Sequence, residues 1–61
     1  MPYIDYYRRG RPIWTANYAS MRSAKPSMRP SFERHHKADG IDRAVLRDDE
    51  GNVRRELPEG R

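Results

Sequence analysis

Ala44-Val45-Leu46-Arg47, then Asp48-Asp49-Glu50-Gly51-Asn52, then Val53-Arg54-Arg55-Glu56-Leu57 make two short runs about a polar loop that contains a glycine. The pattern predicts a β-hairpin over 44–57 and is the most legible in the chain. An isolated hairpin is marginal in water, so Val45, Val53 and Leu57 are expected to pack on Ile41, Phe32 or a helix upstream.

Working back from the hairpin, Gly40 reads as a helix terminator and Ser31 as the cap of a turn or two of helix over Phe32 to Ala38. Pro26 and Pro30 bracket Ser27-Met28-Arg29, which is expected to be extended because proline pushes the residue before it out of the α region. A first short helix is expected from Thr15, as its cap, to Lys25. Ala16, Ala19 and Ala24 favour it, Tyr18 and Met21 share a face, and Pro26 ends it. Tyr3 to Arg8 is aromatic and β-prone, Arg9-Gly10-Arg11-Pro12 breaks the run, and Ile13-Trp14 resumes it, so an extended segment or loose hairpin is expected there. Pro58 to Arg61 reads as a tail.

The expected fold is therefore small α+β or largely irregular: an N-terminal extended segment, one or two short helices, a C-terminal hairpin and a thin core. The 61 residues form a single small module over 1–61. Leu, Ile, Val and Phe together supply eight of them, few enough, at 36% charged residues, to leave little apolar bulk beyond the aromatics and methionines. There is no cysteine, so neither a disulfide nor a thiolate zinc site can compensate, and a partner or an economical core is the expected source of order.

Charge divides the chain in two. Residues 1–37 carry eight Lys or Arg against two acids, a net of +6, whereas 38–61 carry five Arg against seven acids, a net of −2. The basic half also holds the aromatic block Tyr3, Tyr6, Tyr7, Arg8, Arg9, Arg11 and Trp14. Tyrosine and tryptophan faces stack on unpaired bases while arginines meet phosphates, and the same residue types anchor protein interfaces or fill a residue-poor core. Candidate contact residues are Tyr6, Tyr7, Arg8, Arg9, Arg11, Trp14, Arg22, Lys25 and Arg29. The expected partner is nucleic acid or a ribonucleoprotein, with a larger protein assembly, along which the chain would lie as an accessory or inhibitory subunit, as the alternative.

Within the block, Arg9-Gly10-Arg11-Pro12 resembles the core of the AT-hook, a peptide whose extended Arg-Gly-Arg-Pro backbone lies in narrow A·T-rich minor grooves. The resemblance covers four residues and ends at Ile13-Trp14, where an AT-hook continues into basic residues. It implies that glycine lets the backbone approach the groove floor while Arg9 and Arg11 reach into its negative potential. A Gly-Pro turn is the competing reading.

Other chemistry finds little to stand on. Glu33 with His36 and His35 with Asp39 are spaced to share helix faces, but the two pairs point different ways and one turn supplies at most two ligands to an ion. Asp48-Asp49-Glu50 lacks the alternate-residue spacing of a calcium loop. None of Ser20, Ser23, Ser27 or Ser31 sits in a nucleophile elbow, and no phosphate-cradling glycine loop occurs. No enzyme activity, cofactor, metal or small-molecule substrate is expected. With neither a signal-peptide run nor an 18-residue apolar span, no membrane partner is expected and a cytoplasmic address is the default.

Overall fold

The computed structural model describes residues 1–59. Strands β1 (Tyr3–Arg8) and β2 (Arg11–Asn17) form one hairpin, β3 (Arg43–Arg47) and β4 (Val53–Leu57) form a second, and helix α1 (Met21–Asp39) lies between them in sequence. The hairpins join through β1 and β3 into one antiparallel sheet of order β2-β1-β3-β4. Both hairpins thus form where the turn residues and short apolar runs place them, and the fold is a small α+β unit.

One face of the sheet is covered by α1. Ile4 and Tyr6 from β1, Ala44 and Leu46 from β3, and Leu57 from β4 meet Ala24 and Met28 of α1, with Ile41 closing the end. Met21 and Phe32 pack at the margin of this cluster. The residues 21, 24, 28, 32 and 35 recur at three- and four-residue intervals, so one continuous stripe of the helix is turned inward.

That stripe is why a single helix replaces the two short ones expected from the prolines. Pro26 and Pro30 both lie inside α1, and both are exposed on the side away from the sheet. Each proline leaves the carbonyl four residues earlier, on Arg22 and on Pro26, without its helical donor, and on the outer face water can supply one. The inward stripe outweighs a cost of about 3 kcal/mol for each proline. Three expectations change accordingly. Thr15 is a strand residue whose hydroxyl donates to Asp5 Oδ1 at 2.7 Å, Ser27-Met28-Arg29 is helical, and Ser31 is a buried interior residue of the helix.

The true cap is Ser20. Its Oγ accepts from the Ser23 N–H at 3.3 Å, and the Ser20 N–H donates in return to Ser23 Oγ at 3.4 Å. Ser20→Ala is expected to cost about 1 kcal/mol and to lower the melting temperature by about 4–8 °C, measured by circular dichroism. At the other end Gly40, at φ 71°, lets its own N–H and that of Ile41 turn back onto the carbonyls of His36 and His35.

The packing expected of the second hairpin is met in part. Leu57 is buried under α1, but Val45 is buried on the opposite face of the sheet, across from Asp5, and Val53 remains 49% exposed. The intervening loop is ordered by Asp48, whose Oδ1 accepts from the N–H groups of Asn52 and Glu50 at 2.9 Å each. These bonds, the Asn52 one foremost, hold its carboxyl below the usual range.

Candidate nucleic-acid interface

The first hairpin turns through Arg9 and Gly10, both at positive φ (53° and 80°), as a two-residue type I′ turn requires. The Arg-Gly-Arg-Pro stretch is therefore folded into a tight turn and the start of β2, and does not present the extended backbone by which an AT-hook lies in a groove. Beyond the turn Arg8 pairs with Arg11, Tyr7 with Pro12 and Tyr6 with Trp14, so Ile13 is the extra residue of a bulge. In a regular strand residues three apart face opposite ways. The bulge brings Arg11 and Trp14 to the same face, the one that also carries Tyr6 and Arg8.

On that face Trp14 stands at the edge of the sheet, 49% exposed. Tyr6 stacks on it with centroids 5.5 Å apart and planes 21° apart, and His35 of α1 meets it nearly edge-on, 4.5 Å away at 71°. His35 is fixed in turn by Asp39, its Nδ1 lying 3.3 Å from Oδ2, while its Nε2 is buried without a hydrogen-bond partner. Tyr6 itself is fully buried and shares a 2.6 Å hydrogen bond with Ser31. Burial pushes its phenol pKa up, against the opposing effects of the Ser31 bond and the nearby Arg34.

Four arginines come from the elements that neighbour the exposed ring, three from the hairpin turn and one from α1. Arg8 crosses the end of α1 and donates from Nη1 to the Asp39 carbonyl at 3.0 Å. Arg9, in the turn, is held by its backbone N–H, which donates to Asp42 Oδ2 at 3.0 Å. Arg11 and Arg34 are exposed, Arg34 coming from the helical turn that carries His35. No ion pair among the described residues engages any of these four guanidinium groups.

The sheet's other face is different, because its cations are paired. On the uncovered face of the sheet Arg47 Nε lies 3.4 Å from Asp5, Arg43 Nε donates to Glu56 at 2.8 Å, and Arg43 sits over the Tyr7 ring at 5.1 Å. That face is balanced in charge, and Tyr7 belongs to it.

The structure thus sorts the residues singled out from sequence. Arg8, Arg9, Arg11 and Trp14 come together, Tyr6 supports them from the core, and Tyr7 lies on the other side of the sheet. Arg22, Lys25 and Arg29 occupy a different flank of α1, where Arg29 Nη2 lies 3.2 Å from Glu59, a residue shared with Arg55 of β4. Arg34 and His35 join the site without having been singled out for it. Their helical phase shows only when the helix is read through both prolines, which puts residue 35 on the stripe of Ala24, Met28 and Phe32.

Comparison with protein-family models, curated proteins and solved structures found no significant match to the chain. Among the described residues no helix is long and apolar enough to cross a membrane.

Proposed function

We propose that this chain is a non-catalytic binding protein whose first hairpin, with the adjoining turn of α1, docks onto nucleic acid or a ribonucleoprotein. The observation that carries this reading is the half-exposed Trp14 ring on the hairpin whose turn carries Arg8, Arg9 and Arg11, braced by the turn of α1 that carries Arg34, four cations free of carboxylate partners among the described residues. Exposed cations of this kind meet phosphate oxygens and release counterions, and an exposed tryptophan gives the contact an apolar component. Asp39 and Asp42 lie nearby but are engaged with His35 and the Arg9 backbone.

The alternative is an accessory or inhibitory subunit on a larger protein complex. It draws on Ile13 and Trp14, exposed beside each other at 44% and 49% on an edge strand, since tryptophan and arginine also anchor protein contacts. The chain has one tryptophan, so its fluorescence reports on the site alone. Titration with mixed-sequence DNA and RNA, single- and double-stranded, is expected to change that fluorescence at low salt, with affinity falling steeply as salt rises. Absence of binding to all of them at low salt would refute the nucleic-acid reading and leave the protein partner.

A further inference from the structure

Building on the nucleic-acid reading, we infer that the site takes a single strand, with one unpaired base stacked on the outward face of Trp14 and the neighbouring phosphates met by Arg8, Arg11 and Arg34. Tyr6 stacks against one side of the indole and His35 braces it, so the ring is fixed in place and offers one flat face outward. In a duplex the base faces are occupied by their neighbours and only edges and phosphates are offered, so a lone exposed indole gains nothing there. An unpaired base gains stacking whatever its sequence, because every base has a π-face.

The arrangement of the cations argues the same way. Arg11 and Trp14 stand opposite Arg8 and Tyr6 on one face, about 7 Å apart along the strand, so cation and ring reach one backbone phosphate and a base attached close to it. The row of cations along the outer surface of α1, Arg22, Lys25, Arg29 and Lys37, lies on a different flank from Trp14. The outer surface of α1 is interrupted by Glu33, and Arg29, on the far flank, is tied to Glu59. The hairpin tip is only the two residues Arg9 and Gly10. Arg8 is anchored through Nη1 to the Asp39 carbonyl, which leaves its other nitrogens for a phosphate beside the ring.

The test uses the full chain with an oligothymidylate and an oligouridylate of about twelve nucleotides, and a mixed-sequence duplex of the same length. Both single strands are expected to quench the Trp14 fluorescence. The logarithm of their affinity should fall with the logarithm of salt at a slope of about −2 to −3, for three or four phosphates neutralised at about 0.7 each. The duplex should bind at least about tenfold more weakly and leave the indole unquenched. Followed by anisotropy of a labelled oligothymidylate, Trp14→Ala should lose about tenfold or more in affinity, while Trp14→Phe, which keeps an aromatic face and the packing on Tyr6, should stay within about threefold of the parent. Equal affinity for duplex and single strand without quenching, or an unaffected Trp14→Ala, would overturn the stacking site and leave the broader nucleic-acid reading standing. Failure of every oligonucleotide to bind would overturn both.

Discussion

Tyr6→Ala is expected to leave the chain without a cooperative thermal transition. The ring is the largest fully buried side chain, at the centre of the cluster beneath α1, and its hydroxyl is bonded to buried Ser31. Removing a buried aromatic costs about 3–5 kcal/mol. A chain of this length has about 3–9 kcal/mol in total at the usual stability per residue. Circular dichroism and urea titration measure the loss directly, and a melting temperature close to the parent's would show that the ring is not in the core. Tyr6→Phe isolates the hydroxyl: it strands Ser31 without its partner at a cost of about 1–3 kcal/mol, and it keeps the ring under Trp14, so oligonucleotide affinity should be unchanged. The group also sets an alkaline limit. Burial raises the phenol above its ordinary 10.0, so its contribution to stability is whole below that pH and is lost as pH climbs through the raised value.

The double charge reversal Arg11→Glu with Arg34→Glu is expected to abolish measurable oligonucleotide binding at physiological salt and leave the fold intact. Both side chains are exposed and neither supports a hydrogen bond or ion pair among the described residues, so little stability is at stake. Charge-assisted contacts to phosphate are worth about 1.5–3 kcal/mol, tenfold or more for each lost, and reversal adds repulsion. At low salt, where residual binding can be followed, the salt slope should shrink by about 1.4, which is 0.7 for each lost phosphate. The matched control is Arg22→Glu with Lys25→Glu, of equal charge change on the other flank of α1. If the control weakened binding as much as the test pair, the contact would be a diffuse response to net charge and not the hairpin site.

How much of this was legible in the sequence depends on which physical signal each element carries. Both hairpins announce themselves through turn chemistry: Arg9-Gly10 and the Asp48 to Asn52 loop are local signals, and local signals survive folding. The helix does not, because Pro26 and Pro30 are local signals overridden by a tertiary one, the inward stripe of Met21, Ala24, Met28 and Phe32. Misplacing the helix start hid Ser20 as the cap, and splitting it hid Arg34 and His35 as neighbours of Trp14. The aromatic block was visible as a composition, but its division between core, open face and edge was not. That division rests on the bulge at Ile13, which shifts every face assignment beyond it and leaves no mark in the residue types.

The antiparallel register has one more consequence. Because β3 runs against β1, the loop with Asp48, Asp49 and Glu50 closes the sheet beside Tyr3, while Arg8, Arg9 and Arg11 close it at the other end, a strand length of about 20 Å away. The loop acids are offset in part by the Met1 amino group on Asp49 and Arg54 on Asp48, and the arginines by Asp39 and Asp42, so a modest charge separation runs along the strands of a body only 26 Å in its longest dimension. In the field of a polyanion, the partner proposed above, such a body would experience a weak torque that favours approach by the arginine end. Under the proposed nucleic-acid function the sheet topology would speed productive encounters as well as support the site, an advantage that fades as ionic strength rises.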